Sequence, residues 1–246
     1  MVATASIQEY ARSAPSEGHP RLSPAAENYL QAIFILEEDD VAPTPGHVAD
    51  YLRGLAPSEH QGTSLPSVTG MVRRMARQGL VHITPGKEVR LTEEGREMAR
   101  DVVRRHRLAE CLAVTELGVP LERAHQEAHR LEHGLSRLTE QKIAQRLGYP
   151  SVCPFGHPIP GADQADRSGE MSLAGAESGS RYIVTWVPEH GVELLGYLIA
   201  QGVLPGQSLH VVEAAPYRGV MVLRTEGGTE IALGYEAASR IRVREG

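Results

Sequence analysis

The sequence has few cysteines and no long apolar segment. Its 246 residues include two cysteines, Cys111 and Cys153, so the disulfide framework of a small secreted domain is excluded. No apolar run approaches the roughly 20 residues that a membrane-spanning helix needs. The N-terminal segment has no basic stretch followed by an apolar core, so we expect no signal peptide. These absences favour a reducing, cytoplasmic setting without a membrane partner.

An overall excess of positive charge is also absent, because the formal net charge is −6 at pH 7. Taken alone, this value argues against a nucleic-acid partner. Residues 65–90, however, contain five basic side chains and a single acidic one, Glu88. The basic residues are Arg73, Arg74, Arg77, Lys87 and Arg90. A local basic face is compatible with a salt-sensitive contact to phosphates, but a solvated helix face explains the same residues equally well.

Residues 23–95 have the pattern of a winged helix-turn-helix. A first helix begins after Ser23 and a short second helix follows it, while Pro66 opens a third helix whose apolar positions repeat at helical spacing. Gly79 stands where a C-terminal cap is expected. Two β-type runs within residues 80–91 flank a turn and predict a hairpin. Basic residues on the third helix and the turn favour DNA binding, although a small structural wing on an enzyme would give a similar pattern.

The rest of the chain divides into a helical middle, a linker and a β-rich end. Residues 96–161 predict amphipathic helices that suit a dimer interface, with Thr139 as the cap of the last one. Residues 149–180 are rich in proline, glycine, serine and aspartate, and the later part of this stretch, residues 162–180, is predicted to be a linker. Residues 181–246 contain short β-type runs separated by glycine-containing turns and predict a small barrel. Residues 1–22 are expected to form a flexible tail. The predicted fold class is therefore mainly α with a small β domain.

Six histidine and glutamate side chains repeat at helical spacing on two consecutive predicted helices. They are His106 and Glu110 on the first helix, and His125, His129, Glu132 and His133 on the second. At about 100° per residue, the last four project within an arc of roughly 100°. A mixed nitrogen and oxygen donor set suits Mn(II) or Fe(II), with Co(II), Ni(II) and Zn(II) able to compete by affinity. We expect Zn(II), Co(II) or Cd(II) to substitute in vitro. An exposed polar helix face is the competing interpretation, and Cys111 is expected to be a core residue.

A second interpretation of this region is catalytic. Residues 129–133 match the H-x-x-E-H pattern, in which His129 and His133 would hold zinc and Glu132 would activate water. This zinc-peptidase hypothesis leaves His106, Glu110, His125 and the upstream winged helix unexplained. A further alternative is a helix-turn-helix regulator that senses something other than a metal.

Three segments carry a resemblance to a known family. They are residues 105–110 (Arg-His-Arg-Leu-Ala-Glu), 125–133 (His-Gln-Glu-Ala-His-Arg-Leu-Glu-His) and 154–161 (Pro-Phe-Gly-His-Pro-Ile-Pro-Gly). These segments resemble the diphtheria toxin repressor/manganese transport regulator family of metal-dependent transcriptional repressors. Weaker similarity runs through residues 29–33 and 75–81, and the C-terminal strands are similar to the family's SH3-like, FeoA-type third domain. The resemblance covers about residues 24–246.

The resemblance implies a homodimer that is not an enzyme and that binds a palindromic operator in double-stranded DNA when Mn(II) or Fe(II) is loaded. It implies two metal sites. One comprises His106, Glu110 and His125, completed from the third domain by Glu189 and His190. The other comprises Asn28, His129, Glu132 and His133. The sequence departs from the family pattern at three positions. His129 stands where relatives carry Cys or a carboxylate, and Asn28 stands where they carry Met or Asp. Gln31 stands where the manganese-specific members carry Glu.

The third predicted helix, which begins at Pro66, is the expected reader of the DNA major groove. Ser64, Ser67 and Thr69 are expected to contact bases or phosphates. Arg73, Arg74, Arg77 and Lys87 are expected mainly to neutralise phosphate. The 13 residues between Leu52 and Pro66 make this connection longer than the usual helix-turn-helix turn of about 3–4 residues.

Overall fold

The computed structural model describes residues 22–55, 62–162, 167–189 and 191–246. The chain divides into two compact units, the first comprising residues 1–109, 126–149 and 159–163 and the second comprising the remainder. Among the described helices, none combines the length and the apolar character that a membrane crossing requires. The predicted flexible tail, apart from Leu22, lies outside the described residues.

Three helices and a hairpin form the N-terminal part of the first unit. They are α1 (Pro24–Glu38), α2 (Pro45–Arg53), α3 (Leu65–Arg77), β1 (Val81–Ile83) and β2 (Val89–Leu91). The side chains of Ser23, Thr44 and Ser64 accept backbone N–H groups and cap the three helices, which satisfies donors that the first helical turn leaves open. The strands pair antiparallel. The predicted winged helix-turn-helix architecture is therefore confirmed.

Buried apolar side chains of these elements form one hydrophobic core. Leu30 and Ile33 of α1, Val48 of α2, Val72 of α3 and Val89 of β2 are all at most 1% exposed. This core fixes α3 against α1 and α2 while the opposite side of α3 remains exposed. The DNA-reading candidates are therefore carried by a helix whose inner side is fully packed.

Three further helices follow the hairpin. They are α4 (Glu93–Thr115), α5 (Leu121–Glu132) and α6 (Arg137–Arg146). The prediction that Thr139 caps α6 is wrong, because Ser136 Oγ accepts the backbone N–H of Thr139 at 3.2 Å. Ser136 has the extended backbone of a cap, whereas Thr139 lies inside the first turn. The division between the two units falls after Ala109 and after His125.

The second unit contains a six-stranded antiparallel sheet with the strand order β3-β8-β4-β5-β6-β7. Its elements are β3 (Met171–Ser172), β4 (Arg181–Trp186), α7 (Val192–Ala200), β5 (Ser208–Ala215), β6 (Val220–Thr225), β7 (Glu230–Gly234), α8 (Tyr235–Ser239) and β8 (Arg242–Glu245). Strand β3 lies inside the range that the sequence predicts as a linker, where Met171 pairs with Val243 of β8. A two-residue strand is too short to show the alternation by which strands are recognised in a sequence.

Candidate metal centres

Three imidazoles converge on the carboxylate of Glu132 in the first unit. Glu132 is fully buried at the end of α5, and its two oxygens lie 2.6 Å from His106 Nδ1 and 3.1 Å from His129 Nδ1. His133 Nε2 lies 3.4 Å from Glu132 Oε1. The ring centroids of His106 and His129 are 4.6 Å apart. We call His106, His129, Glu132 and His133 the Glu132 cluster, and its nitrogen and oxygen donors are those that first-row divalent metals accept.

Helix α1 contributes a residue to this cluster that the sequence analysis missed. Glu27 is 4% exposed, and its Oε2 accepts a hydrogen bond from His133 Nδ1 at 2.7 Å. Its other oxygen accepts from Arg105 at 2.8 Å. A carboxylate that holds one nitrogen of an imidazole orients the other nitrogen toward a metal. The available sequence signal was the position of Glu27 next to Asn28, a predicted ligand.

Asn28 and Gln31 carry buried amide groups on the same helix. Within the part of the chain that the structure describes, Asn28 Oδ1 and both amide atoms of Gln31 have no hydrogen-bond partner. Burying such a group without a partner costs free energy, and an amide oxygen is an accepted ligand for hard divalent cations. Asn28 therefore fits the role of a metal ligand that was predicted for it.

Burial and mutual charge set the ionisation of the Glu132 cluster. Burial lowers the pKa of His129, and the opposing effect of the Glu132 charge is smaller. Burial raises the pKa of Glu132, but the charges and hydrogen bonds of His129 and His106 outweigh it and bring the pKa below its usual range. The low pKa of Glu132 favours its ionised carboxylate, which is the form that binds metal.

A second group of potential ligands lies in the second unit. The ligand atoms of Glu110, Cys153 and Glu189 are all buried and lie within 4.8 Å of one another. His125 Nδ1 lies 3.3 Å from Glu110 Oε1. We call Glu110, His125, Cys153 and Glu189 the Glu110 cluster. Two carboxylates buried so close together repel one another unless a cation or protons neutralise them, so the donor set fits a divalent cation.

The loop that carries Cys153 packs tightly against the end of β4. Gly156 has a φ of +90°, and a Cβ there would lie 2.0 Å from Thr185 O, so no other residue fits without displacing the loop. His157 stacks on Trp186 with ring centroids 4.4 Å apart, and its Nε2 donates to Val187 O at 2.9 Å. Cys153 was not predicted as a ligand from the sequence, because this loop meets α4 and Glu189 only in the folded chain.

The resemblance assigns His106 to the site of Glu110 and His125, and this assignment stays a prediction. In the structure His106 Nδ1 lies 2.6 Å from Glu132 Oε2. Glu110, His125 and Glu189 lie together in the second unit, as described above. His190 lies outside the described residues.

The predicted DNA contacts lie on the outer side of α3 and on the hairpin turn. Pro66, Ser67, Arg73, Arg74, Arg77 and Lys87 are exposed, and Thr69 is half-buried. The side chain of Ser64 caps α3 and donates to Ser67 Oγ at 2.9 Å, while Thr69 Oγ1 donates to Leu65 O at 2.8 Å. Three arginines and one lysine therefore face solvent beside hydroxyls that are already engaged within the helix.

Each of the three parts of the chain matches a known domain family. Residues 21–89 match the N-terminal DNA binding domain of the iron dependent repressors. Residues 92–161 match the metal binding and dimerisation domain of the same repressors. Residues 171–245 match the FeoA domain, so this match includes β3.

Similar proteins and solved structures agree with these matches. The iron-dependent repressor IdeR of Mycobacterium tuberculosis is 34% identical over 230 residues, which cover 88% of this chain and 95% of the relative. The diphtheria toxin repressor of Corynebacterium diphtheriae is 38% identical over 138 residues, 56% of this chain and 57% of the relative. A manganese-dependent transcriptional repressor in complex with manganese has a TM-score of 0.78 at 30% identity, covering 90% of this chain and all of that one. ScaR with bound Cd2+ has a TM-score of 0.75 at 27% identity and covers 90% of this chain and 99% of that one. The chain therefore belongs to the iron-dependent repressor family.

Proposed function

We propose that the chain is a DNA-binding transcriptional repressor that depends on Mn(II) or Fe(II) and acts as a homodimer on a palindromic operator. The observation that carries this proposal is the meeting of α1 with α5 at the Glu132 cluster, where His133 donates to Glu27 at 2.7 Å. Helix α1 is also part of the core that holds α3. A metal ion bound at the cluster would therefore act through α1 on the placement of α3, the helix that carries the predicted DNA contacts.

The residues of the cluster and its neighbours have different roles in metal binding. Asn28, His129, Glu132 and His133 would hold the ion, with His106 directed to the same carboxylate. A bound divalent cation would supply the positive charge that joins the oxygen donors of α1 to the imidazoles and carboxylate of α5. Glu27 orients His133, and Arg105 in turn holds Glu27. A fixed α1 favours one placement of α3, and DNA that binds this placement should tighten metal binding reciprocally.

The two clusters differ in the metals that their donors favour. The Glu132 cluster offers nitrogen and oxygen, which suit Mn(II) and Fe(II), whereas the Cys153 thiolate of the Glu110 cluster favours softer ions such as Zn(II) or Cd(II). Related structures contain manganese, cadmium or zinc. We propose the Glu132 cluster as the site that controls DNA binding and the Glu110 cluster as an additional site.

A direct test measures DNA binding as a function of free metal. Duplexes selected by the Mn(II)-loaded protein from a random pool are titrated with protein in Mn(II), Fe(II), Zn(II) or chelator. We expect binding in Mn(II) and Fe(II) and its loss in chelator. Equal binding by the metal-free and loaded protein would refute the proposal. If His106→Ala and His133→Ala both bind DNA as the wild type does at saturating Mn(II), the protein senses an effector other than a metal.

We expect Cys153 to act as a thiolate ligand in the Glu110 cluster. Co(II) added to the protein should produce thiolate-to-cobalt charge-transfer absorption in the near ultraviolet, and Cys153→Ser should abolish it. Cys111→Ser is the matched control. Burial, together with the Glu110 charge, raises the pKa of Cys111 to about 12, and a buried thiol of this kind is inert. Absorption that survives in Cys153→Ser would exclude Cys153 as a ligand.

A further inference from the structure

Helix α3 carries a glycine at the centre of its outward side. Val68, Val72 and Met75 are buried on the inner side of the helix. Gly70 is exposed on the other side, and its neighbours at helical spacing are Pro66 four residues before it and the arginines that follow. These are Arg73, Arg74 and Arg77, all exposed. The outward side therefore consists of long cationic side chains around a position without a side chain.

Nothing within the described chain requires a glycine at this position. Gly70 has no positive φ, and a Cβ added to it would meet no heavy atom within 4 Å. Glycine is the poorest helix former after proline, so alanine at this position would make α3 more stable. Gly95 of α4 shows the contrasting case, because a Cβ there would lie 1.9 Å from Leu80 O.

We infer that Gly70 is the point at which α3 approaches the base pairs most closely. Without a side chain at Gly70, the helix backbone can descend toward the floor of the major groove, while the arginines around it reach the phosphates on either side. The same approach brings Pro66 and Ser67 within reach of base edges. This inference rests on the proposed DNA-binding function. It means that DNA binding, and not folding, requires a glycine at this position.

Two substitutions test whether Gly70 is needed for DNA binding or for folding. Gly70→Ala and Gly70→Leu should both raise the melting temperature of the metal-free protein because both improve helix propensity. Affinity for a duplex selected by the Mn(II)-loaded wild type should fall by about tenfold or more, which is the range of a lost base contact. Affinity for unselected DNA of the same length, which depends on phosphates, should change far less.

The matched control is Gly196→Ala in α7, where an added Cβ also meets no heavy atom within 4 Å. This variant should be stabilised in the same way and should keep the wild-type affinity for both duplexes. Calorimetry should give the same Mn(II) affinity for all variants. A loss of DNA affinity would then arise at the contact with DNA and not from weaker metal binding. If the wild type selects no sequence from the pool, the proposed function fails and the inference with it. If the wild type selects a duplex that Gly70→Leu binds equally well, the inference alone is refuted.

Discussion

Glu132→Gln is expected to abolish metal-dependent DNA binding. At a Mn(II) concentration that saturates the wild type, affinity for the selected duplex should fall by at least about 100-fold, since even partners of metal ligands contribute roughly 10- to 100-fold. The reason is that, among the described residues, Glu132 carries the carboxylate toward which His106, His129 and His133 all converge. A glutamine is neutral and turns an amide nitrogen toward at least one of these imidazoles. Fluorescence anisotropy of the labelled duplex measures the loss of DNA affinity, and calorimetry with Mn(II) measures the loss of metal affinity.

Glu127→Gln is the control for this substitution. Glu127 lies on the same helix, and its carboxylate pairs with Arg130 near the surface, so its replacement should leave both affinities unchanged. Wild-type DNA affinity in Glu132→Gln would contradict the proposed metal site. The zinc-peptidase alternative makes a different prediction, namely a hydrolytic activity that Glu132→Gln abolishes while the metal stays bound.

Glu140→Ala is expected to cause a large loss of stability. Glu140 Oε1 lies 2.5 Å from Arg104 Nε, both side chains are less than a tenth exposed, and Arg104 Nη1 also donates to Pro160 O at 2.8 Å. Removing the carboxylate breaks a buried ion pair at the Arg104 guanidinium, and breaking such a pair costs about 3–5 kcal/mol in the free energy of unfolding. Urea denaturation of the metal-free protein measures this change through the transition midpoint.

An exposed ion pair provides the comparison for this prediction. Asp50 and Arg53 pair within α2, but their side chains are 64% and 53% exposed. Solvent screens such a pair, so Asp50→Ala should cost about 0–1 kcal/mol. If Glu140→Ala is no more destabilising than Asp50→Ala, then the buried pair between α4 and α6 does not stabilise this unit.

The sequence predicted the elements of the winged helix-turn-helix because their signals are local. Ser23 and Pro66 mark helix starts within one turn, and apolar residues at helical spacing define the buried side of each helix. The histidines and glutamates of α4 and α5 were found for the same reason. Glu27 was missed because it contacts His133 across 106 residues of sequence. No local sequence pattern indicates such a contact. Cys153 was missed for the same reason, because it meets Glu110 and Glu189 only in the folded chain.

The stacking of His157 on Trp186 has a practical consequence for spectroscopy. Trp186 is the one tryptophan in the sequence, it is 4% exposed, and the Arg167 guanidinium lies 4.4 Å from its ring centroid. Its emission therefore originates next to the segment that carries Glu189, inside the second unit. We expect a metal ion that binds at the Glu110 cluster to quench this emission, so that Trp186 fluorescence reports the filling of that centre during a titration.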